Sequence, residues 1–127
     1  LWIDLTRKRS SAALRAFVSP HVNDPDARLA EPIVFELLRS ASDAEVAVLT
    51  AYFASVPVIA GSDDLWRRAA ELGRDCRKAG CSVSAMDLLI AQIAIDHGAE
   101  LTTFDADFLS IAASSTLQVN LLQRPKS

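Results

Sequence analysis

Residues 84–98 read SAMDLLIAQIAIDHG, apolar at nearly every position, with Ser84 placed as an N-cap and Gly98 as a C-cap. That spacing predicts a helix, and a helix apolar on most faces must be buried on most sides. Upstream, SDDLWRRAAELGRDCRKAG (62–80) alternates apolar and charged positions at helical period. It predicts an amphipathic helix capped by Ser62 or Asp63 and stopped at Gly80. SDAEVAVLTAYFASV (42–56) opens with Ser42 and Glu45 at capping-box spacing, and Pro32 in EPIVFELLRSA suits a first helical turn. SSAALRAFV (10–18) is a further short helix and NDPDARL (23–29) a turn. Three short runs have strand character: PVIA, expected to be buried, ELTTF, and LQVNLL (117–122). Helices alternating with short apolar strands predict an α/β fold with a mainly parallel sheet.

The 127 residues have the length of one domain, without repeats, low-complexity tracts or a linker. Half of the positions are hydrophobic and 23% charged, the composition of a folded globular chain. No apolar run reaches the roughly 20 residues of a membrane helix, and no signal peptide is evident. Cys76 and Cys81 have no His or Cys cluster around them, which argues against zinc and fits free thiols in a reducing cytoplasm. The chain opens on LWIDL, without Met and inside a hydrophobic run, so its natural start is expected upstream.

Charge changes the picture. The net charge is only −3, but basic residues gather in Arg7-Lys8-Arg9 and at Arg67, Arg68, Arg74, Arg77 and Lys78. From Cys81 to Gln123 there is no Lys or Arg, while Asp87, Asp96, Glu100, Asp105 and Asp107 all fall there. Such a region repels itself unless cations or distant basic residues compensate it. A solvated acidic face accounts for Asp96 and Glu100. Asp87 sits instead among Met86, Leu88, Leu89 and Ile90, where burying a carboxylate costs several kcal/mol unless it is paired or bound to a cation. Its bland role is to meet the positive end of its own helix, worth about 0.3–1 kcal/mol.

Glu36 lies among Ile33, Phe35, Leu37 and Leu38, with a salt bridge to Arg39 as its bland reading. Asp105 and Asp107 follow the ELTTF strand and would otherwise shape a turn or cap a short helix. Ligands in parallel α/β sheets bind at the carboxyl ends of strands, where Asp105 stands. Clustered carboxylates of this kind suit a hard cation, Mg2+ or Mn2+, which keeps waters and binds substrate phosphates. Such an ion generates a hydroxide nucleophile and stabilises phosphodiester cleavage. Neither a nucleophile–histidine arrangement nor a phosphate-binding glycine loop is present to compete.

The run SAMDLLIAQIAIDHGAELTTFDADF resembles the C-terminal half of a PIN domain, in particular the VapC-type toxins of bacterial toxin–antitoxin pairs. EPIVFELLRSA resembles the helix that carries the family's Glu, DLWRRAAELGRDCRKAG the helix before the catalytic one, and LWIDL the segment after the family's first Asp. The resemblance implies a PIN-like three-layer α/β/α sandwich. It implies catalytic and metal-binding roles for Asp87, Glu36 and Asp105, a peripheral or water-mediated contact for Asp107, and supporting roles for Ser84 and Asp4. It further implies a Mg2+- or Mn2+-dependent endoribonuclease acting on tRNA or rRNA, a cognate antitoxin, homodimerisation through apolar surfaces such as AEVAVLTAYFASV, and a cytoplasmic location. Arg7, Lys8 and Arg9 form a candidate RNA-phosphate track, with the basic residues of helix 62–80 as a second.

Two departures stand out. The family's first Asp would lie upstream of Leu1, and Phe104 occupies a place where many relatives carry Arg. Two other readings use the same residues: a catalytically inactive PIN-like module that binds RNA or protein, and a metal-dependent phosphatase.

Overall fold

A computed structural model describes residues 27–123; Asp4, Arg7, Lys8, Arg9 and the helix expected at 10–18 lie outside the described residues. Strand β1 (Leu29–Ala30) leads directly into α1 (Glu31–Ser40), with Pro32 in its first turn. Helix α2 (Asp43–Phe53) follows, and its capping box is formed. The Ser42 N–H donates to Glu45 Oε1 and the Glu45 N–H to Ser42 Oγ, both at 3.2 Å. Strand β2 (Val58–Ile59), helix α3 (Leu65–Lys78), helix α4 (Ala85–Asp96), strand β3 (Glu100–Thr103), helix α5 (Asp107–Ala113) and strand β4 (Gln118–Leu121) complete the described chain.

Both strand pairings are parallel, β1 with β2 and β3 with β4. Among the described residues they form two separate two-stranded sheets, not one continuous sheet. Helix α4 joins the halves: it packs on α3, α1 and α5 and against both β1 and β3. This is why its sequence is apolar all round. Ile93 is fully buried with Ala30 and Leu65, while Ala91 and Ala94 share a cluster with Leu72, Cys76, Phe108, Ile111 and Leu117. Full burial of a side chain such as Ile93 contributes about 1.5–3 kcal/mol.

The helix ends follow local chemistry. At the end of α3, Gly80 takes a positive φ of 85°, the Cys81 N–H donates to the Cys76 carbonyl at 2.8 Å and the Gly80 N–H to that of Arg77. Gly98 closes α4 in the same way, with φ 61° and the Ala99 N–H on the Ala94 carbonyl at 2.9 Å.

Three expectations need correction. The N-cap of α3 is Asp64, not Ser62 or Asp63, because the Ser62 hydroxyl bonds the Asp64 carboxylate at 2.8 Å and no side chain caps the helix. The PVIA strand is not buried: Val58 is 43% exposed and Ile59 half-buried, with β1 as the only strand paired to it among the described residues. The short helix that Asp105 or Asp107 could cap forms as α5, but its N-cap is Ala106 and no side chain caps it. Cys76 and Cys81 are both free thiols, and no described helix is long and apolar enough to cross a membrane.

Candidate metal and active site

A cavity of about 910 Å³ opens between α1, α4 and the two strand pairs. Its polar wall includes Glu36, Ser84, Asp87, Thr103 and Asp105, over an apolar floor that includes Ile33, Ile90 and Phe108. The sequence brings these together by three routes. Ser84, in extended backbone, accepts the Asp87 N–H on its hydroxyl at 3.1 Å and so starts α4 with Asp87 in its first turn. Strand β3 ends at Thr103, whose hydroxyl accepts the Asp105 N–H at 3.0 Å, while Asp105 Oδ1 accepts the Asp107 N–H at 2.9 Å. Helix α1 carries Glu36 into the cavity wall while the adjacent Phe35 is exposed.

Asp87 is half-buried, and burial is the main cause that lifts its carboxyl above the usual value of 3.8. The hydrogen bond from Ser84 pulls it down, and the negative charges of Asp105, Asp107 and Glu36 push it up again. Among the described residues, the charges that act on Asp87 are those of carboxylates. Asp105 is exposed at the cavity mouth and also does the turn-shaping work expected of an Asp there. Asp107 opens α5, is exposed, and acts on Asp87 through its charge without lining the cavity. Glu36 does both things its sequence suggests: it lines the cavity, and its Oε2 accepts Arg39 Nη2 at 3.0 Å. The Arg39 guanidinium also lies 5.9 Å over the Phe35 ring.

Among the described residues no three of His, Cys, Asp or Glu close into a ready metal cage. What they offer is a pair of half-open carboxylates, Asp87 and Asp105, with Glu36 nearby. That suits a hard cation such as Mg2+, which is typically bound through one or two carboxylates and retains several waters.

Asp96 corrects the expectation of a solvated acidic face. Its side chain is only 8% exposed and pairs with Arg68 Nη1 from α3 at 2.6 Å, with Gln92 Nε2 donating to the same oxygen at 2.9 Å. Glu100 is exposed as expected. Sequence reasoning misses Arg28, Thr102 and Asn120, which also line the cavity. Thr102 and Asn120 come together only through the β3–β4 register, where they face each other as pairing partners.

The family profile described as PIN domain matches residues 1–114. The chain belongs to the PIN domain family. Among curated relatives, VapC ribonuclease Mb1587 of Mycobacterium bovis and Ribonuclease VapC11 of Mycobacterium tuberculosis are each 35% identical over 122 residues. In each case 92% of this chain and 90% of the relative are covered. Among solved structures, VapBC2 from Rickettsia felis bound to a DNA fragment from their promoter superposes with a TM-score of 0.73 at 17% identity, covering 94% of this chain and 91% of that one. VapBC-1 from nontypeable Haemophilus influenzae gives 0.72 at 19% identity over 94% and 91%. At those identities the likeness establishes the PIN fold, an α/β architecture consistent with the parallel pairs described above.

Proposed function

We propose that this PIN-family chain is a VapC-type toxin: a Mg2+- or Mn2+-dependent endoribonuclease that hydrolyses RNA phosphodiester bonds and is neutralised by a cognate antitoxin. The observation that carries it is the meeting of Asp87, Asp105 and Glu36 on one cavity wall, where the charges of the described residues acting on half-buried Asp87 are carboxylates. The ribonuclease names of relatives 35% identical over most of the chain support the same reading.

Asp87 and Asp105 would hold the cation, with Glu36 completing the acidic wall and Asp107 acting through its charge or a water. A bound divalent ion supplies an activated water and charge stabilisation at the phosphate. Ser84 fixes the turn that presents Asp87, and Thr103 the turn that presents Asp105. Asp4 as a supporting acid and Arg7, Lys8 and Arg9 as RNA contacts belong to the same reading and rest on the family resemblance. So do the treatment of residues 1–127 as one PIN domain, a cytoplasmic location, tRNA or rRNA as substrate, and homodimerisation. The exposed apolar side chains Phe35, Leu38, Val46 and Val48 on α1 and α2 support a protein-covered face for antitoxin or a second copy.

The test is cleavage of total bacterial RNA by the full-length gene product with Mg2+, Mn2+ or EDTA. Discrete fragments that require metal and disappear in Asp87→Asn are expected. Absence of cutting by a folded, antitoxin-free protein under either metal would overturn the enzyme and leave a PIN-like binding module.

A further inference from the structure

The basic residues of α3 fall into two sets. Arg67 is held between Asp64 at 2.8 Å and Glu71 at 2.9 Å, and Arg68 is taken by Asp96. Both are committed to carboxylates within the protein. Arg74 and Arg77 are exposed and make no ion pair with any described carboxylate. At the other end of the same helix Trp66 is 74% exposed, far more than so large an apolar ring normally is.

These residues are aligned. Trp66, Ala70, Gly73 and Arg77 follow one another at helical i, i+4, i+7 and i+11, a single stripe of α3, and Arg74 flanks it. Ala70 is exposed in the middle of the stripe and Gly73 is half-buried under Leu88 of α4, with an aromatic face at one end and guanidinium groups at the other. From Trp66 to Arg77 the stripe runs roughly 16 Å along the axis. Its direction is set by the packing of α3 on α4. Arg68 meets Asp96 at the end of α4, and Gly73 lies so close to Leu88 that an added Cβ would sit 2.9 Å from its Cδ1. The helices are thus antiparallel, and the arginine end of the stripe approaches the first turn of α4, where Ser84 and Asp87 stand.

We propose that this stripe is a track for single-stranded RNA, with Trp66 stacking on a base and Arg74 and Arg77 holding phosphates on the way to the carboxylate cavity; the proposal rests on the ribonuclease reading above. The chemistry favours nucleic acid over protein. Every base has a face that stacks on an aromatic ring, and exposed arginines with no carboxylate partner among the described residues match a phosphate backbone. General basicity does not explain the arginines, since the chain carries a net charge of −3.

The test separates the track from the catalytic reading. Full-length protein carrying Asp87→Asn, in EDTA, is titrated into a fluorescein-labelled single-stranded RNA of mixed sequence across a range of salt. Trp66→Ala, and Arg74→Ala with Arg77→Ala, are each expected to weaken binding about tenfold. The arginine pair should also flatten the slope of log affinity against log salt by about 0.7 for each phosphate that is no longer neutralised. Arg67→Ala, which removes one positive charge already neutralised within the helix, should change neither. All these side chains are exposed, so unchanged thermal unfolding verifies the fold of each variant. In the cleaving chain the same variants should raise KM and spare kcat.

Wild-type affinity and salt slope in the Trp66 and arginine variants would overturn the track. So would equal weakening by Arg67→Ala, or loss of a protein partner with RNA binding intact. Failure of the wild-type chain to cut RNA would instead overturn the enzyme reading.

Discussion

Helix α4 carries a half-buried aspartate at each end, and the two are solved differently. Asp96, at the carboxyl end, has a guanidinium and an amide brought to it from Arg68 and Gln92, so its charge is answered from within the protein. Asp87, at the amino end, has the Ser84 hydroxyl and its own helix terminus, and the other charges that reach it from the described residues are carboxylates. Among the described residues none forms an ion pair with Asp87, although Arg28 lines the same cavity. An uncompensated carboxylate beside a cavity is costly for folding alone and useful for holding a cation. The contrast separates an acid paired within the protein from the proposed metal ligand on the same element.

Substitutions at the two ends should therefore have opposite signatures. The largest effect is expected for Asp87→Asn, which should lower the rate of metal-dependent RNA cleavage by at least about 100-fold, as initial rates would measure. In EDTA the same variant should unfold at a higher temperature than wild type at neutral pH, since it removes a carboxylate held near its like. Next is Arg68→Ala, which leaves Asp96 buried without its counter-ion. It should destabilise the fold by about 1–3 kcal/mol in urea unfolding, below the cost of breaking a fully buried pair because Arg68 is partly exposed. Cleavage per folded molecule should stay near wild type. Ser84→Ala should cost about 1 kcal/mol through the lost N-cap, with a modest fall in activity as the Asp87 turn loosens.

The smallest effect is on pH dependence. The Asp87 carboxyl ionises at higher pH in the folded chain than the usual 3.8. Between those two values the folded state holds a proton that the unfolded state has released. The stability of the metal-free protein should therefore fall as pH rises through that window and be level above it, and Asp87→Asn should remove this component. Metal binding, which needs the ionised carboxylate, should run the other way and weaken as pH falls through the same window. Urea unfolding in EDTA and metal titrations at several pH values would show the two opposed slopes.

What is legible in the sequence is what short-range chemistry decides. The Ser42–Glu45 box, the Ser84 cap and the turns at Gly80 and Gly98 are hydrogen bonds between residues a few positions apart, and the structure forms each as the sequence implies. Asp87 and Asp105 are legible for a related reason: a carboxylate in an apolar first turn, and another just after a strand, contradict their surroundings unless they serve a site. Asp96 is misread from sequence because its partner lies on another helix, and only the packing of α3 on α4 brings Arg68 to it. Thr102 and Asn120 escape notice because neither residue is unusual until strand pairing sets them side by side at the cavity. Helix α5 is legible only as a short helix that an Asp could cap, because it is a single apolar stretch whose first residues stand out for their charge.

The measurement that tests the central contrast most directly is calorimetric titration of Mn2+ into the metal-free full chain, run in parallel with Asp87→Asn and Asp96→Asn. Binding by the wild type and by Asp96→Asn, with loss of binding in Asp87→Asn, is the predicted result. Equal binding by wild type and Asp87→Asn, or no binding by a folded wild-type chain, would contradict it.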